Sequence, residues 1–263
     1  MTDILVAKDI SKTYFDTVAK DDVVALSGVS LSVAAHDFVS VIGPSGCGKS
    51  TFLRIVAGLD TPTSGEILVS GKRVSGPGAD RGMVFQEYAL LPWKTTEANI
   101  EFGLRLKGVP KEERRKIAQR FIDLVGLKGF EKKYPHQLSG GMRQRAAVAR
   151  VLANNPTVLL MDEPFAAVDA MTRQRLQEEL TAISASERTT VLFVTHAIEE
   201  AVFLSNRVVA LSGRPGKVIA DIRIDLPRPR RWEDLVRDAK FIGYRDDLTR
   251  CIHGDVPVHG GHI

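Results

Sequence analysis

The chain has 263 residues, 44% hydrophobic and 26% charged, enough for one large domain or two small ones with a sizeable core. Its 36 basic and 32 acidic residues leave a formal charge of +4, which fits a mixed solvated surface and not a nucleic-acid stripe; the one dense basic run is Arg228, Arg230 and Arg231. No stretch approaches the roughly 20 apolar residues of a membrane-spanning helix, the first residues carry charge where a secretory signal would be apolar, and Cys47 and Cys251 are too far apart for a metal-ligand spacing or a disulfide scaffold, so the chain reads as cytosolic.

Three early segments, Ile4 to Tyr14, Ala25 to Val33 and Glu66 to Val69, are short, half-polar and bounded by Gly or Ser. They predict an antiparallel sheet beside the core. Phe38 to Ile42 is a continuous apolar run, as expected of a strand covered on both faces. It ends at Gly43-Pro44-Ser45-Gly46-Cys47-Gly48-Lys49-Ser50, which matches G-x-x-x-x-G-K-[ST] and leads into a helix from Thr51 to Gly58. Glycines let backbone N–H groups curl around phosphate oxygens, and the helix N-terminus adds partial positive charge. Lys49 is placed to meet the β- and γ-phosphates of a nucleotide, and Ser50 to coordinate Mg²⁺.

From about Leu90 to Arg150 the pattern turns helical, with Ile117, Phe121 and Leu124 on one face, and predicts a helical subdomain inserted between core strands. Within it, Leu138-Ser139-Gly140-Gly141-Met142 precedes a helical run from Arg145 to Leu152. That is a second anion-binding helix N-terminus, redundant in one molecule but not if two copies face each other. Val158 to Met161 predicts a second buried strand, ending in Asp162 and Glu163. Beside a phosphate loop, the first carboxylate would hold Mg²⁺ through water and the second would polarise the attacking water. Val191 to Val194 predicts a third strand, followed by Thr195 and His196, and Val208 to Leu211 a fourth. Apolar strands alternating with helices indicate an α/β core around a parallel sheet.

After Leu226 the sequence fits an extended arm and then an amphipathic helix to about residue 252, with Leu235, Phe241 and Leu248 as its apolar points. The last residues, 253–263, read as a flexible tail; His253, His259 and His262 could bind metal but fit a mobile segment better.

Read together, Leu138 to Gln144 resembles the signature of the ABC transporter ATP-binding subunits, and the resemblance spans Asp3 to about Pro229. It implies a single ABC nucleotide-binding domain: a P-loop NTPase (RecA-like) parallel-sheet core, an antiparallel β subdomain and an inserted α-helical subdomain. It further implies ATP and Mg²⁺ as ligands and a head-to-tail homodimer, in which Ser139, Gly140 and Gly141 of one copy close on the γ-phosphate held by the other. The loop from Gly43 through Ser50 and Thr51 would cradle the phosphates. Gln86 aligns with the glutamine that joins the metal site and senses the membrane partner. His196 aligns with the histidine that contacts the γ-phosphate; standing alone it would pass for a strand-end cap. Asp169 aligns with the residue coupling the two sites, although Ala166 and Val168 depart from the usual pattern around it. Tyr14 aligns with the aromatic that stacks on adenine, with Phe15 as a rival because the segment after it is longer than usual.

The same resemblance implies transmembrane permease subunits as partners, contacted near Tyr88, Leu91, Pro92 and Trp93. It also implies a periplasmic or extracellular substrate-binding protein acting indirectly, no nucleic acid, and a peripheral place on the cytoplasmic face of the membrane. Gly76 to Gly82, Leu90 to Trp93 and Ser212 to Lys217 with the LPRPR arm are similar to the nitrate, sulfonate and taurine importer branch. Export is the alternative direction. A soluble ABC ATPase acting on nucleic acid or ribosomes would carry a long coiled-coil insertion or two such domains, and this sequence has neither. A P-loop binding module without turnover would not need Glu163 and His196.

Overall fold

The computed structural model describes residues 3–17, 20–166 and 168–254. The first two strands, β1 (Asp3–Asp16) and β2 (Asp21–Ala34), form a long antiparallel hairpin; β1 also pairs antiparallel with β4 (Ser64–Val69), and β5 (Lys72–Arg73) closes the edge. Each hairpin strand is 14 residues long, well beyond the apolar segments that mark it in the sequence, because the outer ends are exposed and carry little hydrophobic pattern. Alternation nevertheless sets the inner face: Leu5, Ala7, Val29, Leu31 and Val33 are buried together with Phe52 and Leu53 of α1 (Lys49–Ala57).

The second sheet has six strands in the order β10 (Val218–Arg223), β9 (Arg207–Leu211), β3 (Phe38–Ile42), β8 (Thr190–Val194), β7 (Val158–Asp162) and β6 (Arg81–Val84). Five run parallel, and β10 is antiparallel to β9 at one edge. Every residue of β3 and of β8 is buried. Their side chains divide by pleat between two cores: Val39, Val41, Leu192 and Val194 face α1, while Phe38, Ile42, Val191 and Phe193 face the opposite layer.

Between β6 and β7 come α2 (Thr96–Leu106), α3 (Lys111–Leu124) and α4 (Gly140–Leu152), packed through Ile100, Leu104, Phe121, Ile122 and Ala146. Crossovers α5 (Ala170–Ser186) and α6 (Ile198–Leu204) follow β7 and β8. The segment after Leu226 differs from a single helix: α7 (Trp232–Leu235) and α8 (Ala239–His253) are separate, because Asp238 caps a new start by accepting from Phe241 N at 3.0 Å. Leu235 is therefore buried on α7, and Phe241 and Leu248 on α8. His253 ends α8, ahead of a left-handed Gly254; His259, His262 and Ala167 lie outside the described residues.

Candidate active site

Parallel pairing of β3, β8 and β7 brings their carboxyl ends side by side, the usual place for a ligand in such a sheet. Glu163 N donates to Val194 O (2.9 Å) and Thr195 N to Val41 O (3.2 Å), so the three loops that leave these strands are in fixed register.

The loop after β3 turns into α1 through Gly48, whose φ is +99°; a Cβ there would meet Leu26 Cδ2 at 2.7 Å and Ala25 O at 2.8 Å. Lys49 is 5% exposed, and its Nζ donates to Gly43 O (2.8 Å) and Pro44 O (2.9 Å), with Cys47 Sγ at 4.0 Å. Among the described residues no carboxylate lies within ion-pair distance of this ammonium, so a positive charge is held ready at the loop for an anion.

Ser50 Oγ donates to Asp162 Oδ1 at 2.9 Å, a pair 112 residues apart in the chain. Burial pushes the Asp162 carboxyl above its ordinary range, opposed by the Ser50 hydrogen bond, while the neighbouring Glu163 adds to the rise. Hydroxyl and carboxylate oxygens are hard donors suited to Mg²⁺, and a cation here would relieve a carboxylate that burial disfavours. Among the described residues no group of three or more His, Cys, Asp or Glu side chains could hold a metal ion. The pair thus offers two of the oxygens that such a cation needs, the rest of its shell coming from other groups.

Glu163 follows immediately with φ +42°, in the left-handed region where a side chain costs energy, and such strain is tolerated where the surroundings hold it. The turn aims its carboxylate at His196: Nδ1 to Oε2 is 2.9 Å, with the Glu163 side chain 22% and the His196 side chain 58% exposed. Two residues the motif reading left out steady this pair. Thr195 Oγ1 accepts from Ala197 N at 3.0 Å, and the buried Glu200, which accepts from Gln177 Nε2 at 2.6 Å, lines the same small cavity as Thr195 and His196. The spacing of Glu200, four residues beyond His196, is the sequence signal that could have found it.

Tyr14 stands at the other end of the loop. Its hydroxyl donates to Asp60 Oδ2 (2.6 Å), and Lys12 Nζ lies 4.8 Å from the ring centroid. Phe15 is 64% exposed.

The remaining predicted residues stand apart within one chain. Gln86 is exposed on the segment after β6 and, among the described residues, forms no hydrogen bond. Ser139 is exposed and caps α4, accepting from Met142 N at 3.3 Å. Gly141 packs against α5 so closely that a Cβ would lie 2.9 Å from Thr172 Cγ2. Asp169 caps α5 by accepting from Thr172 N at 3.0 Å, and that bond holds its carboxyl below the ordinary range. Among the described residues no hydrogen bond joins any of these four to the loop or to the Glu163–His196 pair. The segment between Gln86 and α2 is pinned from two sides. Arg150 donates to Ala89 O (2.6 Å), the Asn99 amide brackets Leu91, and Trp93 is left 71% exposed.

A family model described as ABC transporter matches residues 26–166. An uncharacterized ABC transporter ATP-binding protein of Methanocaldococcus jannaschii is 55% identical over 232 residues, covering 88% of this chain and 85% of the relative. The nitrate import ATP-binding protein NrtD of a Synechocystis species is 48% identical over 240 residues, 89% of this chain and 90% of the relative. The bicarbonate transport ATP-binding protein CmpC of Synechococcus elongatus is 44% identical across 93% of this chain, which spans 37% of that longer protein. Among solved structures, a dimeric post-hydrolysis state of the ATP-binding cassette MJ0796 bound to ADP and phosphate superposes with TM-score 0.74 at 34% identity, over 85% of this chain and all of that one.

Proposed function

Because this chain belongs to the ABC transporter family as an ATP-binding subunit, we propose that it powers import of a small oxyanion by closing head to tail on a second copy around bound ATP. Its enzymatic activity is ATP hydrolysis coupled to transport. The observation that carries the mechanistic reading is the meeting of four side chains from distant parts of the sequence at the carboxyl ends of adjacent strands, Ser50 with Asp162 and Glu163 with His196.

Lys49 and the N–H groups of residues 43–51 bind the ATP phosphates, with the α1 N-terminus adding its partial charge. Ser50, Asp162 through water, and Gln86 would hold Mg²⁺, which supplies neutralising charge at the β- and γ-phosphate oxygens. Glu163 orients the attacking water and takes its proton, held in place by His196, whose other ring nitrogen is free to meet the γ-phosphate. Among the described residues Ser139 and Gly141 form no hydrogen bond to the loop of their own chain, and the exposed N-terminus of α4 is offered to the partner's γ-phosphate, with Gly140 between them and Asp169 alongside. Positioned charge stabilising the spreading negative charge of the transferred phosphoryl group is the main source of rate. Tyr14 stacks on adenine in preference to Phe15, since Tyr14 is braced by Asp60 while Phe15 is 64% exposed.

The membrane partner is a permease that docks on the pinned segment around Tyr88, Leu91, Pro92 and Trp93, where an exposed tryptophan on a fixed loop makes a suitable anchor. No helix among the described residues is long and apolar enough to cross a membrane, and the inner face is the side proposed for this subunit. Import of a cargo such as nitrate or bicarbonate is supported by the relatives named for nitrate import and bicarbonate transport; a sulfonate or taurine as cargo, and a substrate-binding protein that delivers it, rest on the sequence resemblance to that importer branch.

Glu163→Gln tests the reading. The variant should bind ATP, hydrolyse it at least about a hundredfold more slowly, and sediment as a dimer with Mg-ATP but as a monomer without; Tyr14→Ala in the same background should raise the ATP concentration needed. Monomers at saturating Mg-ATP, or near-normal turnover, would refute it.

A further inference from the structure

Side-chain hydrogen bonds tie the chain after β10 to the end of α6 and, through Trp232 and Gln177, to Glu200 beside the turn that carries His196. Arg228 donates to Leu204 O (2.7 Å), and Arg230 Nη1 donates to the carbonyls of Val202 (2.9 Å), Phe203 (2.8 Å) and Ser205 (2.7 Å). These carbonyls lie at the C-terminal end of α6, so two cations cap that helix at its negative pole. The capped arm delivers α7 against α5 and α6. The Trp232 ring stacks on Phe203 (centroids 4.3 Å apart, planes at 3°), and Phe241 meets it edge-on at 6.1 Å.

Polar contacts then lead inward. The Trp232 indole N–H donates to Gln177 Oε1 (2.9 Å), and Gln177 Nε2 donates to Glu200 Oε1 (2.6 Å). An indole can only donate, so the amide oxygen must face Trp232 and the amide NH₂ must face the carboxylate. Gln177 is 1% and Glu200 7% exposed, where a wrongly oriented amide would leave a buried carboxylate unpaired at high cost. Glu200 lines the same small cavity as Thr195, whose oxygen closes the turn over His196 onto Ala197 N. A cavity of about 20 Å³, roughly one water in size, is lined by Glu163, His196, Thr195 and Glu200 and joins the relay to the reacting groups.

We propose that Trp232, Gln177 and Glu200 are positioning residues that hold the Thr195–His196–Ala197 turn, so that the C-terminal segment sets how His196 is presented to Glu163 and the γ-phosphate. The inference rests on the reading that Glu163 and His196 carry hydrolysis.

Two full-length variants test it. Trp232→Phe keeps the stack on Phe203 and loses only the indole N–H; Gln177→Met keeps the volume and loses both amide contacts. Trp232→Phe should lower kcat for ATP about fivefold, the effect of one buried hydrogen bond, and Gln177→Met, which loses two, by at least as much, with KM changed less than about twofold in each. The double variant should be no slower than Gln177→Met alone, and Trp232→Phe should add nothing on a His196→Ala background. Wild-type kcat in both single variants, a fall in KM alone, or an undiminished effect without His196 overturns the relay. If Trp232→Phe unfolds, Gln177→Met decides by the same readout. His196→Ala with normal turnover would instead sink the underlying site reading, so the two failures are distinct.

Discussion

Burial pushes the Asp162 carboxyl above its ordinary range, and the Ser50 hydroxyl pulls it only partway back. A carboxyl whose folded pKa exceeds its unfolded value gives stability that is complete below the unfolded pKa and lost as pH rises through the folded one. At neutral pH, therefore, Asp162 costs the nucleotide-free protein stability, a cost that the proposed cation would offset. Asp162→Asn should leave the unfolding temperature of the nucleotide-free chain unchanged or raise it by a few degrees at pH 7. The gain should vanish as pH falls below the unfolded carboxylate pKa, while Mg-dependent hydrolysis drops at least about a hundredfold. Calorimetry across pH, with an ATPase assay beside it, checks both; a clear loss of thermal stability at pH 7 would show that the Ser50 contact outweighs burial.

The helix α6 depends on residues that come some 25 positions later. Burial, with the neighbouring Arg228 charge, lowers the Arg230 pKa to about 10. A cation whose folded pKa lies below its unfolded value costs stability at neutral pH, so its hydrogen bonds to α6 and to Leu226 O (3.1 Å) must offset that cost. Arg230→Met leaves those carbonyls unsatisfied and should destabilise the protein by about 2 kcal/mol, read as a lower urea midpoint at unchanged slope; an unchanged midpoint would mean water replaces the guanidinium.

Such dependences mark where the sequence stops being legible. Strands β3, β7, β8 and β9 show as continuous apolar runs because both faces are covered. Edge strands β6 and β10 hide, being half exposed and broken by Gly82 or by Asp221 and Arg223. The crossover α5 hides too, since its buried face includes Gln177 and Thr181 beside Leu176 and Leu180. Residues of the site that belong to contiguous motifs are legible. Those that work by meeting a distant partner are not: Asp60 under Tyr14 is 46 residues away, and Trp232 on Gln177 is 55.

At the scale of the whole molecule, one chain gathers the Gly43–Ser50 loop, the Ser50–Asp162 pair and the Glu163–His196 pair, yet leaves the α4 N-terminus with Ser139 and the α5 N-terminus with Asp169 exposed and, among the described residues, not hydrogen-bonded to them. A two-fold pairing of identical copies would bring each exposed helix end to the other's phosphate loop and complete two equal sites. The most direct measurement mixes two variants that are each inactive alone, Lys49→Ala, which loses the loop cation, and Ser139→Phe, which blocks the helix end. A mixed dimer rebuilds one intact site from the unmodified loop of one copy and the unmodified helix end of the other, so equimolar mixing should restore up to about a quarter of normal hydrolysis. A mixture as inactive as its components would mean that loop and helix end must belong to the same chain, which contradicts the shared site.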